Sequence, residues 1–216
     1  MQPDRSRYDC LSTIGSEGTA GMSHRTRDLP NLSGVAHHLR ELRYHEFYRQ
    51  ALGLVVVVIC ALVGQPSTRT FYIAAIIIAL GIVVRLYASG FIVKNKELAT
   101  NGPYALVRHP LYTGNILILF GFTLATEVWW TWLLSAAFLW FYYPTAIEYE
   151  DRKLHGIFGD QWVQWRQRMP ALIPAVGNWR ELKSGEWSFT KSLKENLEPV
   201  IVAFLVFWAW YLWRQI

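Results

Sequence analysis

The chain has 216 residues and a formal net charge of +5, and 52% of it is hydrophobic, with 11 each of Trp, Tyr and Phe. Only 17% is charged, which excludes a disordered polyelectrolyte, and no basic stretch sits in a recognisable nucleic-acid module, so no nucleic-acid partner is expected. Cys10 and Cys60 stand alone without a Cys-x-x-Cys spacing, so neither a disulfide framework nor a zinc site is predicted. The mean hydropathy is a modest +0.16. Polar residues gather in 1–46 and 148–198 and leave apolar blocks between them, and the many aromatics fit the interfacial belts of a membrane protein.

Residues 1–35 are rich in Ser, Thr, Gly and Arg and show no sustained apolar period, which predicts a disordered cytoplasmic arm without the apolar centre of a secretory signal. His37, His38 and His45 lie among Arg40, Arg43 and Arg49, with Glu41 and Glu46 nearby. The pattern reads as a solvated juxtamembrane basic face, and no metal site is predicted. Residues 51–64 carry no charge and are extended backward by Phe47 and Tyr48. The β-branched run Val55–Val58 would favour a strand in water, but a lone strand in lipid cannot satisfy its backbone, so a first spanning helix is predicted. After the turn Gln65-Pro66-Ser67-Thr68, residues 71–93 form a second span with one charge, Arg85, which either snorkels to the interface or faces a polar cavity. Lys94, Asn95, Lys96 and Glu97 mark its cytoplasmic exit.

Residues 111–126 are again uncharged and predict a third span. Glu127 and the Trp129, Trp130, Trp132 cluster mark a tight turn, and residues 128–147 return as a fourth span with Pro144 placed to loosen its end. Glu148 and Glu150 are two apart and point about 200° apart on a helix, so they make no carboxylate pair for glycoside hydrolysis. Gly159 is a candidate C-cap. Trp162, Trp165 and Met169 then recur at helical spacing beside Arg166 and Arg168, the pattern of an amphipathic surface helix stopped by Pro170. The fold class predicted is all-α: a polytopic membrane helix bundle of about five transmembrane helices with a cytoplasmic cofactor pocket. Its parts are an arm and juxtamembrane segment (1–46), a membrane core (47–175), a polar connector (176–198) and a C-terminal transmembrane helix (199–216). Basic residues precede the first span and fill the loops after the second and fourth. This places the N-terminus and the loops around His109 and Glu150 together on the cytoplasmic side.

That convergence marks the candidate site. Gly102-Pro103 is turn chemistry, and His109-Pro110 sets an imidazole just before a residue suited to the first turn of a helix. Tyr104, Arg108, His109 and Tyr112 thus gather where an apolar helix begins, joined by Glu150. Aromatic faces with a carboxylate suit a cationic ligand. A nucleophile elbow, a phosphate-binding P-loop and a Rossmann glycine run are all missing from the sequence.

The run Leu98-Ala99-Thr100-Asn101-Gly102-Pro103-Tyr104, followed by Arg108-His109-Pro110-Leu111-Tyr112, resembles the signature of the isoprenylcysteine carboxyl methyltransferase family and its phospholipid methyltransferase relatives. Glu150-Asp151, Phe158-Gly159, Trp162, Trp165 and Met169-Pro170 resemble the second motif of that family, so the likeness covers roughly residues 75–175. It implies an integral, multi-pass membrane enzyme that uses S-adenosyl-L-methionine without a Rossmann domain. Carried over by position, it implies that the cofactor is held by Lys96, Glu97, Leu98, Ala99, Tyr104, His109, Pro110, Leu111, Tyr112 and Glu150, with His109 and Glu150 as the candidate catalytic residues. Methyl transfer depends on in-line positioning and desolvation. A carboxylate or thiolate acceptor needs no general base, whereas an amine must lose a proton, for which Glu150 or His109 is available. The sequence departs from the family at Ala146, where prenylcysteine-directed members carry an Arg that orients the substrate carboxylate. The acceptor, lipid-like or small, is left open among carboxylate, amine and thiol, with Arg85 and Arg166 as candidate substrate-binding residues. An alternative reading is an NADPH-dependent membrane sterol or isoprenoid reductase, which shares the Arg-His-Pro-x-Tyr pattern but usually carries Asn where this chain has Leu111. Lys94, Lys96, Arg152 and Lys153 would then meet the 2′-phosphate. A third is a non-catalytic membrane scaffold, which predicts no cofactor binding.

Overall fold

The computed structural model describes residues 25–27, 29–92, 96–196 and 198–216. Most of the predicted arm, Cys10, and the exit residues Lys94 and Asn95 lie outside these residues. Among the described residues all regular structure is helical, as the sequence predicts. The chain divides into two compact units, residues 1–45 and 46–216. The first carries α1 (Gly34–Tyr44). There Arg40 donates to the Pro30 carbonyl, and the Thr26 hydroxyl donates to Glu41 at 2.7 Å.

The second unit holds α2 (Glu46–Val63), α3 (Thr68–Ser89), α4 (Pro110–Thr126), α5 (Trp129–Phe158), α6 (Asp160–Arg168), α7 (Phe189–Asn196) and α8 (Glu198–Trp213), with 3-10 segments at Gly102–Ala105 and Val176–Lys183. Helices α2 and α3 are long and apolar enough to cross a membrane, and α4 and α8 are shorter apolar helices. Much of the apolar surface of α3 faces outward, with Ile76 70% and Val83 60% exposed. Such a surface is costly in water and suits hydrocarbon.

Helix α3 packs most extensively on α4. The reason is a seam of glycines: a Cβ on Gly81 would lie 2.7 Å from the Gly114 carbonyl oxygen, and one on Gly121 would lie 2.6 Å from Ile78. Small residues let helix backbones approach where lipid offers no hydrophobic drive for association. Cys60, Ala61, Ala74, Phe122, Ala125 and Leu212 fill the common core of α2, α3, α4 and α8. The far ends of α3 and α4 are tied by one carboxylate. The Ser67 amide and hydroxyl donate to Glu127 at 2.9 and 2.7 Å, and Glu127 itself has φ 55, in the left-handed region.

Three stretches differ from expectation. Helix α3 ends at Ser89 rather than running to residue 93. Its end is held by the Trp187 indole, which donates to the Leu86 carbonyl at 3.3 Å, and by the Ser188 amide, which donates to the Gly90 carbonyl at 3.1 Å. Pro144 does not loosen α5, which runs 30 residues without a break. Its residues after Pro144 keep helical pairings such as Arg152 with Glu148, four apart at 3.5 Å, and a membrane-type helix tolerates one missing amide donor. The third stretch is the polar connector, for which the sequence predicted no elements. It contains the second 3-10 segment and α7, and it is pinned to α3 by Tyr87 donating to the Leu182 carbonyl at 2.6 Å and by Ser89 and Ser192 hydroxyls 2.6 Å apart.

Candidate active site

The loop 98–109 carries the site to the head of α4. Gly102 has φ 59, a left-handed conformation that glycine adopts without strain. The tight turn it allows buries Tyr104 against Ala88 and Phe91, with Ala99, Leu111 and Trp165 packed around them. His109 is the N-cap of α4 and Pro110 its first residue, where the missing amide costs no hydrogen bond. The loop is also held from behind by a distant segment. The Arg108 amide donates to the Pro170 carbonyl at 2.9 Å, the His109 amide to Ala171 at 3.1 Å, and the Ala175 amide to Leu106 at 2.8 Å. The Thr113 hydroxyl adds a bond to the Leu172 carbonyl at 3.0 Å.

Asp151 is the hub beneath this loop. It lies 8% exposed. One of its oxygens takes Arg108 Nη1 at 2.5 Å and the other lies 3.0 Å from His109 Nε2. Burial pushes its carboxyl up, but the hydrogen bond and charge of His109, reinforced by Arg108, outweigh that and hold it below the ordinary carboxylate value. With Nε2 fixed, the His109 ring stacks on Tyr112 at 5.5 Å, Tyr112 meets Tyr143 at 5.4 Å, and the Arg49 guanidinium lies 4.9 Å from the Tyr112 ring centre.

Glu150 is half-buried on α5. Its charge reaches Tyr104 and Tyr112, and among the described residues no salt bridge engages it. Burial, then Glu150 and Glu198, push the Tyr104 phenol up, and Arg85 opposes them. Arg85 is committed. Its Nε and Nη2 grip Glu198 at 3.1 and 2.7 Å, and Nη1 donates to Asn115. Glu198 is 1% exposed.

The structure therefore places Ala99, Tyr104 and Leu111 in one packed cluster, sets His109, Pro110 and Tyr112 at the head of α4, and brings Glu150 within electrostatic reach of Tyr104 and Tyr112. Leu98 is half-buried beside them, while Lys96 and Glu97 are exposed. Arg166 stands apart from this group, 5.0 Å from the Trp162 ring centre. Sequence reasoning did not single out Asp151 as the partner of His109, nor Asn115, Tyr143, Arg49 or Glu198. Asp151 carried a faint signal as the second acid of the Glu-Asp pair, and Arg49 was read only as part of a solvated basic face, whereas it lies over the Tyr112 ring; the others carried none. Among the described residues no group of three or more His, Cys, Asp or Glu is arranged to hold a metal ion.

An all-helical bundle whose apolar helices end in an aromatic and carboxylate-lined polar site is the class this arrangement defines. The phospholipid methyltransferase family model matches residues 51–161, just over half of the chain, and the chain belongs to that family. The chain is 41% identical over 96 residues to the cobalt-zinc-cadmium resistance protein CzcN of Cupriavidus metallidurans, covering 44% of this chain and 43% of that one. It is 34% identical over 85 residues to the protein-S-isoprenylcysteine O-methyltransferase of Schizosaccharomyces pombe, covering 38% and 36%. It is also 34% identical over 80 residues to the methanethiol S-methyltransferase of Crocosphaera subtropica, covering 34% and 28%. In all three the match spans less than half of the relative's length. No solved structure matches the chain.

Proposed function

We propose that this chain is a multi-pass membrane methyltransferase that takes S-adenosyl-L-methionine from the cytoplasmic side and serves a lipid-like or small acceptor reaching the site from the bilayer. The observation that carries the reading is Glu150, a carboxylate without a salt bridge among the described residues, whose charge reaches both Tyr104 and Tyr112. Around Tyr104 the charges are those of Glu150, Glu198 and Arg85, a net negative set. It fits a sulfonium and opposes the phosphates of a nicotinamide dinucleotide. The reading counts five spans, α2, α3, α4, α8 and the apolar half of α5, with basic loops on the cytoplasmic face.

Bound here, S-adenosyl-L-methionine would supply an electrophilic methyl group on a sulfonium. The protein's part is binding and orientation. The 98–104 loop and the His109-Pro110-Leu111-Tyr112 turn line the pocket. Asp151 fixes the His109 ring on which Tyr112 stacks, with Tyr143 packed against Tyr112, and the packed cluster of Ala88, Phe91, Tyr104 and Trp165 would exclude water from one wall. A thiolate or carboxylate acceptor needs nothing more than alignment. An amine acceptor would lose its proton to Glu150, the carboxylate in that region without a salt-bridge partner.

Calorimetry on detergent-purified protein with S-adenosylhomocysteine and NADPH side by side tests the reading. Binding of the first alone is expected, and it should be lost in both Glu150→Ala and His109→Ala while the helical circular dichroism is kept. Binding of NADPH alone would replace the reading with the reductase one. Binding of neither by folded protein would leave a scaffold. Unchanged affinity in both variants would reject the site.

A further inference from the structure

The face of α5 opposite Glu150 carries a second polar feature that the methyl-donor site does not use. Successive helical residues turn by about 100°, so Pro144, Glu148, Asp151, Arg152 and His155 form one stripe, and Glu150 lies about 200° from Glu148. That stripe and α6 enclose a cleft of about 530 Å³, lined also by Arg108, Trp162 and Arg166.

Three observations describe what the cleft asks for. First, its buried polar atoms without partners are both donors. The Nε1 of Trp162, a residue only 3% exposed, and the Nε of Arg108 have no acceptor. Buried N–H groups of this kind are rare unless a ligand or water completes them. Second, the charges are unequal. Arg108 is matched by Asp151 and Arg152 by Glu148, while Arg166 lies over the Trp162 ring and has no salt bridge to any described residue. One positive charge is therefore left over, above the ring that carries one of the two orphaned donors. Third, the cleft opens where α5 passes from its apolar half to its charged half, and the apolar Pro144 and Ile147 line that end of it. Apolar side chains beside a basic, donor-rich hollow match the boundary between acyl chain and headgroup.

We infer that this cleft is an oxyanion site that takes the phosphodiester of an anionic lipid headgroup, held by Arg166 and the Trp162 indole N–H, with Arg108 Nε at its base. A phosphate oxygen is an acceptor with several lone pairs, so one group can satisfy both orphaned donors and neutralise Arg166. Free phosphate has the same donor-seeking chemistry, but it lacks the acyl chains that would lie beside Pro144 and Ile147. Asp151 links the two faces of α5, since it holds Arg108 on the lipid side and His109 on the donor side. The inference does not depend on the identity of the methyl donor.

Native mass spectrometry of the full chain, stripped of lipid and titrated with phosphatidylglycerol, phosphatidylcholine or inorganic phosphate, tests it. The expected result is one tight phosphatidylglycerol per chain, weakened about tenfold in Arg166→Gln, the loss that follows from one charge-assisted hydrogen bond. Trp162→Phe, which removes only the N–H and keeps the ring, should weaken it several-fold. Arg180→Gln, outside the cleft, should leave it unchanged, and so should Glu150→Ala. Displacement by inorganic phosphate with equal retention of both lipids would keep the oxyanion site but reject the lipid headgroup as its source. Equal phosphatidylglycerol binding by wild type, Arg166→Gln and Trp162→Phe would overturn the inference. Helical circular dichroism of each variant separates loss of binding from loss of fold.

Discussion

Replacing Asp151 with Asn is the sharpest probe of the site. The carboxylate is buried and serves two partners, with Arg108 at 2.5 Å and His109 at 3.0 Å. Asn keeps the shape and offers one acceptor oxygen, but its amide nitrogen now faces the second partner and the charge opposite Arg108 is gone. Removing one member of a buried ion pair costs about 3–5 kcal/mol because the other charge stays buried. The retained hydrogen bond returns about 1 kcal/mol. A net loss of about 3 kcal/mol corresponds to a fall in midpoint of about 6–12 °C for a chain of this size. The assay is thermal unfolding in detergent followed by tryptophan circular dichroism, together with S-adenosylhomocysteine affinity. Asp151→Glu, which keeps the charge, should lose less. The pH dependence gives a second readout. Asp151 is held below its unfolded value, so its stabilisation is present in full above about pH 4, the unfolded carboxyl range, and is lost as pH falls through the folded value. Acid should therefore lower the midpoint of the wild type more than that of Asp151→Asn. A variant that melts within 2 °C of the wild type (about the effect of 1 kcal/mol or less), with the same acid sensitivity and donor affinity, would refute the hub.

Other outcomes follow from the same geometry. Glu198→Gln should cost about 3–5 kcal/mol by stranding Arg85, whereas the double change Arg85→Met with Glu198→Leu should recover most of it, as measured by comparing the three midpoints. Gly114→Ala should destabilise by about 1–3 kcal/mol, since its Cβ would lie 2.6 Å from Arg85 Cγ and 2.9 Å from the Gly81 carbonyl oxygen; Gly156→Ala, with nothing within 4 Å, should not. Glu127 is held at about 2 by hydrogen bonds from Thr70 and then Ser67. Its tie to the start of α3 is therefore present above its ordinary carboxyl value and lost as pH falls through about 2. Glu127→Gln should show a smaller acid-induced change in hydrogen exchange at Ser67 and Thr70 than the wild type.

What was legible in the sequence was local. The His109-Pro110 start of α4, the Gly159 end of α5 and the apolar blocks of α2 and α3 depend on neighbours a few positions away. Pro144 misled because a proline announces a missing donor, not whether the surrounding helix absorbs it. Arg85 was marked as notable for being a lone charge in an apolar helix, but its partner Glu198 is 113 residues away and no spacing rule reaches that far. A separation of 42 residues likewise hid the bond between His109 and Asp151, which comes from tertiary packing of α4 on α5. Met169-Pro170 was legible as part of the second motif, but its backing of the His109 loop joins residues about 60 apart and no local pattern shows it.

That backing has a temporal consequence. A chain made from its N-terminus completes the sequence of α2, α3 and α4 while Pro170 and Ala171 are still unmade. Until they arrive, the amides of Arg108 and His109 have no carbonyls to bind, and the turn that carries His109 has no fixed shape. The 170–175 segment thus completes the site: a chain stopped before it holds Arg108, His109 and Tyr112 and still lacks the carbonyls that back the turn presenting them.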